Sequence, residues 1–325
     1  MQAVNYRNMG DNIYTVAFYN LENLFDTEHN QNTLDKDYTP NGVKKWTPKR
    51  YRKKLLQLGK TISQIGCKTN QRSPSLLGAA EVENRNVITD LLNSEPLVHR
   101  DYGFIHYESP DERGIDTALV YLKSDFEVMH SAPIPLLVNN PNGVRDTTRD
   151  ILYVQGKLNG EEVHVFVNHW PSRRQGSVET AYKRIKASQT IKEYMARIEE
   201  KVERPRYIVM GDFNDGPNSE SITELIDGTQ LYNATSKLLS YTAGSANYRK
   251  SWILFDQIII SQNFLLNEPG THEFLDAHIF NEHFLREWEG KYKGNPFRTY
   301  VGDKYFGGFS DHFPVYIQMK YNAVG

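Results

Sequence analysis

Short apolar runs that stop abruptly at polar clusters recur along the chain. Tyr207, Ile208, Val209 and Met210 form such a run, bounded by Gly and Pro and rich in β-branched residues, which predicts a buried strand. Gly211 ends it, and Asp212, Asn214 and Asp215 follow, where a sheet can hold a carboxylate and an amide in place. Ile13, Val16 and Phe18 predict a first strand that delivers Asn20, Glu22 and Asn23, and Leu76 to Ala80 a second that ends at Glu81. In RGIDTALVYL, Asp116 opens an apolar strand, and Phe126 to Met129 is expected to pair beside it. DILYVQGKL and EEVHVFVN flank Asn159-Gly160, the dipeptide best suited to a two-residue hairpin turn, and the returning strand ends at Asn168-His169-Trp170-Pro171-Ser172. FDQIIIS sets Asp256 at the start of a strand, and GGFSDHFPVYIQM sets Ser310, Asp311 and His312 just before another.

Helical spacing takes over between these runs. Tyr51, Leu55, Leu58, Ile62 and Ile65 predict a helix over 46–65, with Thr47 as cap and Pro48 in its first turn. Val87, Leu91 and Leu92 mark a shorter one, and Ser177 is expected to cap a long helix reaching Val202, with Ile185, Ile191, Tyr194 and Ile198 facing inward.

Asn20, Glu22, Glu81, His169, Asp212 and Asn214 thus follow strands, whereas Asp256, Asp311 and His312 precede them. If the two groups of strands run in opposite directions, all these residues meet along one edge of antiparallel or mixed sheets. Acids gathered there repel one another unless a cation neutralises them, and carboxylate and amide oxygens suit a hard ion such as Mg2+. Histidines beside such an ion suit proton transfer or phosphate contact.

Charge and composition narrow this picture. The 325 residues carry a net charge of -2, which excludes a basic field over the whole molecule, although a local phosphate site stays open. Lys49, Arg50, Arg52, Lys53 and Lys54 are expected on the solvated face of the first helix. A single cysteine, Cys67, excludes an internal disulfide and a Cys-rich metal site. The start MQAVNYRNMGDN lacks the pattern of a signal peptide, and no apolar segment approaches the ~20 residues of a membrane span. A soluble monomer is expected, with residues 1–12 as a tail and 13–325 as one domain. Its compartment stays open between cytoplasm and export as a mature form.

The segments VAFYNLENLFD, AAEVEN, RGIDTALVY, NHWPSR, VMGDFND, FDQIII and GGFSDHFPVYI resemble, in order and spacing, the endonuclease/exonuclease/phosphatase superfamily, from Tyr14 to Gln318. The resemblance implies an α/β fold, a four-layer sandwich of two mixed sheets packed face to face with helices outside. It implies an essential Mg2+, with Mn2+ or Ca2+ as substitutes, held by Glu81 with Asn20, Glu22 and Asp311 nearby. His169, Asp212, Asn214, Asp256 and His312 are its implied catalytic residues, with either Asp212 or His312 as base. His169 and Asn214 would also contact phosphate, and Arg173, Arg174 and Arg298 could hold a second phosphate. The activity implied is hydrolysis of phosphate esters, most simply by a nuclease-like phosphodiesterase whose contact with nucleic acid does not use an extended basic surface. The alternatives are a phosphatase or phospholipase C-type enzyme on a small phosphorylated molecule or lipid headgroup, and a non-catalytic binding module. Glu81 follows Ala80 where many members have Gln, a departure that leaves the carboxylate in place.

Overall fold

The computed structural model describes residues 12–324. Of the tail expected at 1–12, residues 1–11 lie outside the described residues.

The main strands, in chain order, are β1 (Ile13–Leu24), β2 (Leu76–Val82), β3 (Tyr102–His106), β4 (Asp116–Leu122), β5 (Phe126–Ile134), β6 (Ile151–Leu158) and β7 (Glu161–His169). They continue as β8 (Tyr207–Asp212), β9 (Leu231–Asn233), β10 (Ala246–Tyr248), β11 (Ser251–Ile253), β12 (Asp256–Ser261), β13 (Thr271–Ile279) and β14 (Val315–Asn322). The longer helices are α1 (Pro48–Gln64), α2 (Arg85–Leu92), α3 (Ala181–Glu199) and α4 (Glu220–Ile226).

Two six-stranded sheets result, ordered β13-β14-β1-β2-β4-β3 and β9-β12-β8-β7-β6-β5. Each is mixed, with one parallel pair at its centre: β1 with β2, and β7 with β8. Strand periodicity assigns the faces. Val16 and Phe18 of β1 point into a core shared with Ile208 and Met210 of β8, whereas Ala17 and Tyr19 pack outward against Leu55, Leu58 and Val87 of α1 and α2. Val209 and Phe166 likewise pack outward, against Ile191 and Met195 of α3 and Ile222 of α4. Helix, sheet, sheet, helix is the four-layer order expected.

Local chemistry accounts for most boundaries. Thr47 Oγ1 accepts the Arg50 N–H at 3.4 Å ahead of Pro48, and Asn84 Oδ1 accepts from Asn86 and Val87 to start α2. Asn159 and Gly160 both have positive φ, 49° and 90°, as a primed hairpin turn requires.

Three expectations change. Phe126–Met129 does not pair beside β4: its strand joins the other sheet, on β6, because Asp125 turns the chain there, held by Arg72 Nη2 at 2.7 Å and Ser75 Oγ at 2.7 Å. Helix α3 starts at Ala181 and not after Ser177: Thr180 Oγ1 donates to the Gly176 carbonyl and accepts from Arg184, which keeps 177–180 in a turn. Lys54 is not on the solvated face of α1. It falls on the stripe of Tyr51, Leu55 and Leu58 and is 1% exposed, its ammonium donating to Thr299 Oγ1 and the Phe309 carbonyl, each at 2.6 Å.

Candidate active site at one end of the two sheets

Strand register sets three of the site residues side by side. Asp212, the last residue of β8, lies opposite Asp256 on antiparallel β12 and level with His169 on parallel β7. Gly211 permits the close approach just before it, since a Cβ there would stand 2.4 Å from the Asn168 carbonyl oxygen. The second sheet therefore presents Asp256, Asp212 and His169 on adjacent strands at one height.

The first sheet delivers its residues through irregularities. The β1–β2 register shifts after Asn20, and the β2–β4 register shifts between Ala80 and Val82. Glu22 and Glu81 sit in these bulges with left-handed φ of 51° and 61°. A bulge of this kind re-aims a side chain at the rim of a sheet. The two sheets then meet through Asn20, whose amide donates to Asp212 Oδ2 at 3.0 Å. Ser310, in the loop before β14, donates to the Asn20 carbonyl at 2.6 Å, which brings Asp311 and His312 over the same edge.

Hydrogen bonds orient the group. His312 Nδ1 lies 2.6 Å from Asp256 Oδ2, and Asp212, Asp256 and His312 form one cluster of ligand-type atoms within 4.8 Å. Asn214, with φ of 50°, donates its backbone N–H to Asp212 Oδ1 at 2.9 Å and its side-chain amide to the Trp170 carbonyl at 2.9 Å. His169 Nε2 stands 3.8 Å from Asp212 Oδ2 and 3.9 Å from Glu81 Oε1, while its buried Nδ1 has no partner among the described residues. Glu81 Oε2 accepts the Asn23 N–H at 2.8 Å, and Oε1 faces Arg113 at 3.5 Å.

Environment drives the two imidazoles apart. Burial, then Arg149 and Arg113, holds His169 well below 6.5. Burial also pushes His312 down, but Asp256, with Asp311 and Asp212 beyond, overrides it and holds that ring well above 6.5. Burial raises Asp212 to about 6 against the pull of His312. The two rings are thus driven in opposite directions, a separation that marks acid and base partners in enzyme sites.

Several expected residues also have partners within the chain. The Glu22 oxygens each accept one backbone N–H, from Thr299 at 2.6 Å and Tyr300 at 3.2 Å, with Lys54 at 4.0 Å. Burial, helped by Asp311, lifts this carboxyl to about 7. Through these bonds Glu22, expected beside the ion, also ties β1 to the segment carrying Arg298. Arg298 is bound to Asp311, and Arg173 to Asp215 and, at 2.6 Å, to the Asn214 carbonyl, which leaves Arg174 exposed. From Asn214, Asp311 and His312 a cavity of about 610 Å³ opens towards the β10–β11 hairpin.

Two further basic residues belong to the site. Arg113 binds Asn23 Oδ1 beside Glu81, and buried Arg149 joins Asp111 at 2.8 Å to the carbonyls of His169 and Trp170. They lie just ahead of β4 and β6, whose starts share this edge, so the position rule that finds Asp256 and His312 finds them too.

No curated protein matches the sequence. Among solved structures, the chain is similar to an endonuclease/exonuclease/phosphatase family protein from Bacteroides thetaiotaomicron, with TM-score 0.60, 16% identity and 95% of each chain covered. It is similar to the mannosyl-6-phosphatase of Bacteroides thetaiotaomicron, with TM-score 0.59 and 15% identity over 95% of this chain and 100% of that one. The human Nocturnin catalytic domain with bound sulfate gives TM-score 0.56 and 15% identity, with 95% of each chain covered. The model of the Endonuclease/Exonuclease/phosphatase family matches residues 15–321, and with that match across nearly its whole length the chain belongs to this family.

Proposed function

We propose that the protein is a Mg2+-dependent hydrolase of phosphate esters that directs a water molecule at phosphorus in line with the leaving oxygen. The observation that carries this reading is the meeting of Asp212, Asp256, His169 and His312 from one sheet edge and loop with Glu81 from the other. The donor set fits a hard ion. Glu81 Oε1 accepts no hydrogen bond among the described residues, and the side-chain oxygens of Asn20 and Asp311 belong to the same edge. Glu81, Asn20 and Asp311 would hold the ion, which when bound supplies neutralisation of the phosphate oxygens.

The chain's own residues carry the proton traffic. Asp212, fixed by the Asn20 amide and the Asn214 N–H, accepts the proton of the attacking water as the new O–P bond forms. Asn214 has its amide nitrogen committed to Trp170, so its oxygen is the atom left to orient that water. His312, held through Nδ1 by Asp256, offers the other ring nitrogen to the leaving oxygen, which takes the proton as its bond to phosphorus breaks. His169 meets the phosphate oxygens between Glu81 and Asp212.

Between a nuclease-like diesterase and an enzyme for small esters, the local cavity of about 610 Å³ beside His312 favours the small ester. Hydrolysis of bis-p-nitrophenyl phosphate and p-nitrophenyl phosphate, with Mg2+ and with EDTA, tests the reading. Turnover of the monoester that EDTA abolishes is expected. No turnover of either ester would favour a binding module of the same fold.

A further inference from the structure

The wall of the cavity away from Glu81 is the β10–β11 hairpin, and its two turn residues are Arg249 and Lys250. Both have left-handed φ, 50° and 71°. Tight hairpin turns with positive φ at both central positions favour Asn-Gly, Asp-Gly or Gly-Gly, because a Cβ strains the backbone there. Two long cationic side chains at these positions oppose turn preference, and such outliers collect at functional sites.

The hairpin is tied to the catalytic loop. Ser245, one residue before β10, accepts the Phe313 N–H at 2.6 Å and, through its hydroxyl, the Asp256 N–H at 3.3 Å. Trp252 stacks on Phe313 with ring centroids 6.1 Å apart. The turn therefore keeps a set position relative to His312. Lys291, beside Tyr292, lines the same cavity. None of Arg249, Lys250 and Lys291 forms an ion pair among the described residues, and all three are exposed, whereas Arg298 is already bound to Asp311. Glu287 and Asp311 are the acids lining this space, fewer than the cations around it. Tyr248 and Tyr292, about 61% and 51% exposed, add flat faces.

We infer that the substrate carries a second anionic group beyond the scissile phosphate, and that Arg249, Lys250 and Lys291 hold it. The cavity volume suits a mononucleotide or a sugar phosphate, so the shared chemistry is a compact bisphosphate. The inference rests on the phosphate-ester reading and names its substrate class.

The test compares adenosine 3′,5′-bisphosphate with adenosine 5′-monophosphate, and glucose 1,6-bisphosphate with glucose 1-phosphate. The protein is taken as wild type and as Arg249→Asn/Lys250→Gly, which installs the residues that such a turn prefers, so the fold should be kept. In the wild type kcat/KM should favour the bisphosphate by about tenfold or more in at least one pair, the scale of one charge-assisted hydrogen bond. The double variant should bring that ratio close to one and leave p-nitrophenyl phosphate turnover unchanged. A preference in the nucleotide pair alone assigns the tyrosine faces to a base; a preference in the sugar pair assigns them to a sugar ring. Calorimetric affinities of the same four compounds in EDTA read the ratio without turnover. A bisphosphate preference there that the double variant removes, with no ester hydrolysed, would sink the hydrolase and keep the subsite. Ratios near one in both pairs, or a preference that the double variant leaves intact, would overturn the inference.

Discussion

Glu22, Glu81 and Asn214 all hold a left-handed backbone, at 51°, 61° and 50°, in a conformation that costs a non-glycine residue free energy. Glu22 has an evident return for that cost in its two backbone hydrogen bonds, and Asn214 in its bond to Asp212. Glu81 has one bond, on Oε2, and an oxygen turned to Arg113 and His169, the oxygen that the proposed function gives to the ion. Glu81→Gln keeps the shape and removes the charge. Loss of several kcal/mol of transition-state stabilisation, hence roughly a hundredfold or more in kcat/KM, is expected, with Tm within about 2 °C of wild type. Wild-type turnover at ordinary Mg2+ would remove Glu81 from the site. His169→Ala and His312→Ala should each lower kcat by about 100 to 10,000-fold, the range of general acid–base terms. A change below about threefold in both, far under that range, would move the proton chemistry to other residues.

Regular strands were legible in the sequence, and irregular or peripheral ones were not. The runs at Tyr207–Met210 and Asp256–Ser261 announce themselves because both faces are buried. Edge strand β13 does not: a bulge between Phe274 and Asp276 breaks its alternation, and much of it is half exposed. The short β10–β11 hairpin carries no Asn-Gly signal, since Arg-Lys occupies the turn. Strand ends located the residues that meet at this edge, but not what each is bonded to. Glu22 and Glu81 look alike in sequence, and only the loop at Thr299, which caps one and not the other, separates them. Within β7, His164 shows how an element sets pH dependence. Burial, opposed by Glu162, holds its ring below 6.5 while Tyr153 bonds its Nδ1 at 2.8 Å. The unfolded chain then binds the proton more readily, so this contribution to stability is full above pH 6.5 and falls away as pH drops below it. His164→Gln should lose less stability than wild type between pH 8 and pH 5 in urea denaturation. An equal loss in both proteins would show that the ring titrates alike folded and unfolded.

Taken whole, the molecule has a net charge of -2, and part of the basic face expected on α1 is internal or engaged. Lys54 is buried among Thr299, Phe309 and Glu22, and Arg50 is spent on the carbonyls of Lys44 and Lys45 and on the ring of Tyr305, 4.1 Å away. The basic face expected on α1 is thereby reduced to exposed Lys49, Arg52 and Lys53. Arg249, Lys250 and Lys291 line one local cavity and do not form an extended track for a duplex. Each phosphate neutralised on duplex DNA adds about -0.9 to the slope of log affinity against log salt, so contact with a few phosphates predicts a slope of about -1 to -3. If the protein turns over a nucleic acid at all, kcat/KM on a short duplex across a salt series should show that shallow slope. A small bisphosphate should show a comparable one, because the same few cations meet both. A slope on the order of -6 or beyond on the duplex would require more phosphate contacts than the free cations of these two patches supply. It would make a nucleic acid the substrate to which the surface is matched, against the compact cavity beside His312.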